Sequence, residues 1–333
     1  MEFSNYQQEA KKTIQDYIKG KEANKMVPFL GLIGEAGSVI TELKKNLRDG
    51  NAYTNYKNKL KEELGDVLWY ISTIATQNDI DLEEIATSNL AKIKDRFDLE
   101  HSDKFIIYDE AYPEEERFPR EFEVLFDVIN DGGKEKVRVI NKLTGKQLGN
   151  DITDNSHQDD GYRFHDIFHF GYVAYLGWSP VVRKLMEIKR KSDDAMDEVE
   201  DGARAAITEE LISLYIYSYG SDHQLFKYSS SVDTEVLKTV QKLVSGIEVK
   251  NCTQKQWETA IINSYKVYDE LKVNNGGRVL VSIKIVSSFI WVKVKLKTNE
   301  LQNTISGLYH LASQLLGRSA TCRFPVFHFM QKP

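Results

Sequence analysis

Glu35, Glu62, Glu63 and Asp66 have the types and spacing to hold a divalent cation. Glu35 and Glu42 lie seven residues apart, so they share one helix face two turns from each other. Glu63 and Asp66, three apart, share a face of a following helix, with Glu62 beside them. The flanks are apolar: Leu32, Ile33 and Val39 around the first group, Leu64, Val67 and Leu68 around the second. Acids on helices that must also pack against neighbours repel one another unless neutralised. Carboxylate oxygens suit hard divalent ions, Mg²⁺ first and Mn²⁺ second. Such an ion clamps phosphate oxygens and activates a water toward phosphorus. Acids three apart also occur on solvated helix faces, so spacing alone leaves both readings open.

Four helices must position these acids. Ser4 is a candidate N-cap for a first helix reaching about Ile18. A second runs from about Pro28 to Leu47 and closes on Arg48-Asp49-Gly50-Asn51, a turn signal. A third spans about Asn55 to Gln77, where Leu60, Leu64, Val67, Leu68, Ile71 and Ile74 repeat at three and four. Asp81 caps a fourth, with Glu84 completing a capping box. Short connections favour an antiparallel bundle. Gly31, Gly34 and Gly37 recur along the second helix. Each costs about 1 kcal/mol against alanine in a helix interior, so the series predicts close approach of another helix or a ligand.

The run Gly31-Leu-Ile-Gly-Glu-Ala-Gly37, followed by Glu62-Glu63-Leu-Gly-Asp66-Val-Leu-Trp-Tyr70, resembles the MazG signature, Glu-x-x-Glu on one helix and Glu-x-x-Asp on the next. The likeness continues through Asp81-Leu-Glu-Glu-Ile85 and Asn89-Leu-Ala-Lys92 to Arg96, about residues 4–97 in all. It implies an all-α pyrophosphohydrolase that cleaves nucleoside triphosphates, deoxy or modified ones included, to monophosphate and pyrophosphate with Mg²⁺. It also implies that Glu35, Glu63 and Asp66 are catalytic metal ligands and that Asn89, Lys92 and Arg96 reach the phosphates. Spacing independently allows those three to share a face. Trp69 is a candidate to stack a base, though aromatics at helical spacing also serve as core. The chain departs from the signature at Ser38, where the second glutamate belongs. Either fewer ions bind, or Glu42 or Glu62 substitutes, or this half is weakened. Proteins of this type commonly complete their core by association, so a homo-oligomer, a dimer or larger, is expected.

The second half holds further candidates. His165 and His169 are four apart on one helix face, with Asp166 adjacent. They are read as packed histidines or as the centre of a His-Asp metal phosphohydrolase. Ser179-Pro180 starts a helix that ends in Lys189, Arg190 and Lys191, either cations complementing a helix dipole or a phosphate clamp. The acids of 193–201 and 209–210 follow. This part resembles the second half of larger MazG-like proteins. As a diverged copy of the first fold, it would use Glu198, Asp201 and Glu210 as metal ligands, with Ser213 in the aspartate place.

The chain has 333 residues, 41% hydrophobic and 28% charged, which describes a globular protein of two or three domains. Its net charge of -6 argues against binding bulk nucleic acid. Two cysteines without metal-type spacing fit a reducing compartment. The start shows no signal-peptide pattern, and no long uncharged apolar run occurs, so a cytoplasmic protein without a membrane partner is expected. The expected fold is mainly α: a four-helix bundle over 1–100, a linker with a β-hairpin over 101–156, and a second helical domain of related fold over 157–297. That domain ends in a strand-like segment, Val279 to Val294, and a tail of unassigned structure covers 298–333. The expected function is Mg²⁺-dependent nucleoside triphosphate pyrophosphohydrolysis. A non-catalytic nucleotide sensor and the His-Asp phosphohydrolase are the alternatives.

Overall fold

The computed structural model describes residues 1–15, 21–97, 106–283 and 289–293. The chain divides into two compact units, Met1–Ser102 and Asp103–Pro333. It is mainly α-helical, with one antiparallel sheet in the second unit.

The first unit contains α1 (Phe3–Lys11), α2 (Lys21–Asp49), α3 (Tyr56–Gln77) and α4 (Leu82–Phe97). α2 packs along α3, and α1 lies against α3 and α4. α1 is shorter than its apolar pattern suggests: Glu2 rather than Ser4 takes the N-cap, and the chain turns after Lys11. α2 begins before Pro28, which sits inside the helix. Asp81 caps α4 as expected, its Oδ1 accepting from Glu83 N at 2.7 Å. The Gln7 side chain ties three elements together: it donates to Thr76 Oγ1 and Ile80 O and accepts from Leu82 N at 2.8 Å. The glycine series separates in space. A Cβ on Gly31 would lie 2.2 Å from the Tyr70 ring, so glycine lets α3 approach, whereas Gly34 and Gly37 face open space.

Among the described residues, the buried apolar side chains of this unit are Ala10, Pro28, Ala75 and Leu82. Its larger ones are outside: Phe29, Leu30, Ile33, Ile40, Leu43 and Leu47 on α2, with Leu64 on α3 and Leu90 on α4. By length and composition Lys25–Ala52 is long and apolar enough to cross a membrane, which the absence of a long uncharged run had not suggested.

The second unit opens with β1 (Glu121–Asp131), β2 (Lys134–Asn141) and β3 (Gln147–Ile152). Then come α5 (Asp166–Leu176), α6 (Pro180–Met186), α7 (Asp194–Val199), α8 (Ala203–Ser221), α9 (Thr234–Leu243) and α10 (Gln254–Asn274). β4 (Gly277–Ser282) and β5 (Phe289–Lys293) complete a sheet of order β3-β2-β1-β4-β5, antiparallel throughout. Gly132 and Gly133, at φ 59° and 85°, make the tight β1–β2 turn, which needs positive φ at both central residues.

Three expectations change here. The hairpin expected within a linker forms the centre of this sheet, because β1 pairs on its free side with β4 across a long stretch of sequence. The segment before it is anchored too: Asp109 is buried, accepting from Phe118 N at 2.8 Å and from Arg183 Nη2 at 2.9 Å. The single strand expected from Val279 is two strands, β4 and β5, and Val294 and the tail of 298–333 lie outside the described residues. The unit is also no copy of the first bundle, since its helices pack onto a sheet.

β1 alternates buried and partly buried residues, and its buried face presents Phe122 and Phe126 to Phe170 of α5. α5 and α10 cross closely at Gly171, where a Cβ would lie 1.7 Å from Ser264 Oγ. Phe168 stacks on Tyr265 at 4.4 Å beside this crossing. Together these contacts leave α5 almost wholly buried, which fixes the histidines it carries.

Candidate functional site

In the first unit, α2 and α3 bring Glu35, Glu63 and Asp66 together, each offering a carboxylate oxygen within 4.8 Å of the others. Helical spacing explains the convergence: Glu63 and Asp66 stand one turn apart on the face of α3 that meets α2. Glu35 and Glu63 are partly buried and Asp66 is exposed, so the cluster is walled by protein and open to solvent. Among the described residues, no lysine or arginine forms an ion pair with these three acids. Three uncompensated carboxylates, all oxygen donors, fit a hard divalent cation.

The other acids of the constellation are engaged elsewhere. Glu42 is buried; it accepts from the Tyr53 hydroxyl and pairs with Lys45 at 2.5 Å. Lys45 first, then Tyr53, holds the Glu42 carboxyl below its ordinary range. The same bond pushes the Tyr53 phenol up to about 12. Glu62 is exposed and pairs with Lys59 at 2.8 Å, so it does not stand in for the missing glutamate. Ser38 is partly buried. Trp69 donates its indole N–H to Thr13 Oγ1 at 2.8 Å and meets the Tyr70 ring edge-on at 5.0 Å, a packing role between α1 and α3. Asn89 and Lys92 are exposed on α4; Arg96 is partly buried, its guanidinium 5.5 Å from the Phe97 ring. Tyr6 went unnoticed in the sequence. Its phenol is raised by burial and by the nearby Asp66 charge, so α1 contributes a hydroxyl near the cluster.

In the second unit, the residues expected as a diverged metal set do not meet. Arg190 is fully buried and takes Asp201 for itself: its Nη2 lies 2.7 Å from Asp201 Oδ1, and its backbone N–H reaches Oδ2 at 2.7 Å. Two further bonds of 2.8 Å join its guanidinium to Glu248. Asp201 is therefore no metal ligand and Arg190 no phosphate clamp. Its Nε, Nη1 and Nη2 are all taken up by Asp201, Glu248 and the Tyr108 carbonyl, which leaves nothing for a ligand. Lys189 pairs with Asp197, Lys191 is exposed, and Glu198 stands on the exposed side of α7. Ser213 is buried and bonds the Tyr172 hydroxyl.

A different cluster forms on α5 and α8. His165, Asp166 and His169 place ligand atoms within 4.8 Å of one another. Glu209, which the sequence shows only as one of a run of acids, organises them: fully buried, it accepts from His169 Nδ1 at 2.7 Å, Ser179 Oγ at 2.6 Å and Val181 N at 2.9 Å. A signal existed, because Glu209 shares a helical stripe with Ala205, Ile212 and Ile216, all buried. Burial opposes charge on His169, but Glu209 and then Glu210 outweigh it and hold the imidazole well above its ordinary range.

Known proteins bear on both units. A family model of the MazG nucleotide pyrophosphohydrolase domain matches residues 26–98, and one of the MazG C-terminal domain matches residues 103–289. The chain belongs to the MazG family. The two matched MazG regions fall within the two structural units. The Gene 37 protein of Mycobacterium phage L5 is 41% identical over 71 residues, 21% of this chain. This MazG-family chain spans 62% of that relative's length. No solved structure matches it.

Proposed function

We propose that the first unit hydrolyses nucleoside triphosphates, deoxynucleotides among them, to nucleoside monophosphate and pyrophosphate at Glu35, Glu63 and Asp66. The observation that carries this reading is the convergence of these carboxylates from two helices inside the segment that matches the pyrophosphohydrolase model. Bound there, Mg²⁺, or Mn²⁺ in its place, would neutralise polyphosphate oxygens and acidify a water. Glu35, Glu63 and Asp66 would hold that ion in place. Asn89, Lys92 and Arg96, spaced three and four along α4, offer amide, ammonium and guanidinium donors to the phosphates. The α–β anhydride bond breaks, water oxygen bonds to phosphorus, and pyrophosphate departs. Gly34 and Gly37 leave open space on α2 beside Glu35, room for a ligand.

The unit works as a homo-oligomer, a dimer or larger. Its buried apolar side chains are few and small, while a row of large ones lies exposed along α2. A helix face of that kind is covered by a partner. The side of the same helix turned toward α3 carries the metal-site acid Glu35, which suits a protein neighbour on the exposed row better than lipid.

The test is a product assay with ribo- and deoxynucleoside triphosphates, with Mg²⁺ or chelator, resolved by anion exchange. Metal-dependent monophosphate and pyrophosphate are expected, and Glu63→Gln should lose at least about 100-fold in rate with its helicity intact. Full turnover in that variant would sink the assignment. A second reading, nucleotide binding without turnover, draws on Ser38 and on the engagement of Glu42 by Tyr53 and Lys45. Tight binding with no product from any nucleotide would favour it.

A further inference from the structure

We propose that His165, Asp166 and His169, with Glu210 at the rim, form a second metal site in the second unit, for a borderline divalent transition ion with Zn²⁺ as the reference case. It differs in kind from the all-oxygen cluster of the first unit, because two imidazoles contribute nitrogen.

Hydrogen bonds to the ring nitrogens fix both tautomers. His165 Nδ1 lies 2.9 Å from the Tyr162 carbonyl oxygen. A carbonyl cannot donate, so Nδ1 carries the hydrogen and Nε2 keeps its lone pair. His169 Nδ1 lies 2.7 Å from Glu209 Oε1, and Glu209 already accepts from Ser179 and Val181. Nδ1 is again the donor. Metal-binding histidines have this arrangement: one ring N–H tied to a carbonyl or carboxylate, the other nitrogen turned to the ion. Both histidines satisfy it independently, one through the backbone and one through a buried acid.

The second observation is a buried nitrogen without a hydrogen bond. His169 is 1% exposed, and its Nε2 has no hydrogen-bond partner. The nearest acid oxygen, Glu210 Oε2, lies 3.5 Å away, an ion-pair contact that a divalent cation between the two groups would replace. His165 Nε2 and Asp166 Oδ1 are likewise 3.5 Å apart. Two donors each about 2.0–2.1 Å from one tetrahedral ion lie about 3.3–3.4 Å from each other. Separations of 3.5 Å are thus close to those between ligands of a shared ion.

The surroundings fix these groups. The Tyr162 ring stacks on His165 at 4.3 Å and 5°, holding the imidazole plane. α5 carries Asp166 and His169, with His165 at its N-cap, and is pinned by α10. Glu210 borders the site from α8, 3.5 Å from His169 Nε2 and half exposed, so an ion and a small exchangeable ligand can enter from that edge.

The experiment uses the full chain carrying Glu63→Gln, which disables the carboxylate cluster of the first unit. After chelator stripping it is titrated with Co²⁺ alone, following visible absorption, and then with Zn²⁺ in competition. One Co²⁺ per chain is expected, with the intense bands of a low-coordinate, nitrogen-ligated ion, displaced by Zn²⁺. His165→Ala should abolish the bands. Glu210→Gln, at the exposed edge where folding is least at risk, should weaken binding by more than about tenfold. Circular dichroism verifies that both variants fold, and Zn²⁺ should raise the melting temperature of the parent but not of His165→Ala. Failure of the stripped parent to bind Co²⁺, or an unchanged Co²⁺ spectrum in folded His165→Ala or Glu210→Gln, overturns the proposal.

Discussion

Arg190→Met separates a structural arginine from a ligand-binding one. In the native protein the Arg190 side chain is fully buried, and it spans Asp201 on one edge and Glu248 on the other. Methionine keeps much of the volume and removes the charge. Asp201 retains Arg183 Nε at 3.6 Å, but Glu248 loses both of its 2.8 Å bonds. Removing one partner of a buried ion pair costs about 3–5 kcal/mol, because the remaining charge stays desolvated. For a unit of this size each kcal/mol lowers the melting temperature by about 2–4 °C, so a fall of about 6–20 °C is expected. The loss is also pH-dependent. Burial already holds Glu248 above its unfolded value of 4.5, even with Arg190 lowering it. Without the arginine its folded pKa rises further. A carboxyl raised in the folded state penalises folding above that pKa, and the penalty disappears as pH falls through it. The deficit of the variant relative to the native chain should therefore shrink between about pH 7.5 and pH 5. Urea unfolding followed by tryptophan fluorescence at both pH values measures it, since Trp178 and Trp257 are buried in this unit. A loss under about 1 kcal/mol at pH 7.5, together with weakened nucleotide binding, would refute the reasoning and restore Arg190 as a clamp.

Two further outcomes follow from the first unit. Glu42→Gln should keep turnover within a few-fold of the native rate, since Glu42 is occupied by Tyr53 and Lys45 rather than by the acid cluster; a loss as deep as that of Glu63→Gln would place it in the metal site. Ile33→Glu puts a charge on the exposed apolar row of α2, where Ile33 is 70% exposed. Light scattering should then show a smaller species than the proposed oligomer of the native chain, and an unchanged mass would refute this face as the one that joins copies.

The local sequence was informative wherever periodicity decides position. The three-residue step from Glu63 to Asp66 puts both acids on one helix face whatever the surroundings, and Asp81 caps α4 through its own chain neighbours. Ser179-Pro180 starts α6 for the same reason, with Ser179 Oγ accepting from Val182 N at 2.9 Å. Helix ends were less legible, because Pro28 is tolerated inside α2 and the chain turns after Lys11 despite a continuing apolar pattern.

By itself the sequence determined the helices of the first unit, the order of their acids and the family motif they spell. Only tertiary structure decided which charges remain available. Glu42 and Glu62 are as acidic as Glu35 on paper, yet Tyr53 and Lys59 occupy them. Arg190 reads like its lysine neighbours until it is enclosed by Asp201 and Glu248. The central hairpin reads as a linker until β4, from the far side of six helices, pairs with β1. His169 reads as a core histidine until Glu209, forty residues away, fixes which nitrogen holds its proton. Periodicity is a property of neighbours along the chain, whereas desolvation and charge pairing depend on residues that folding alone brings within a few ångströms.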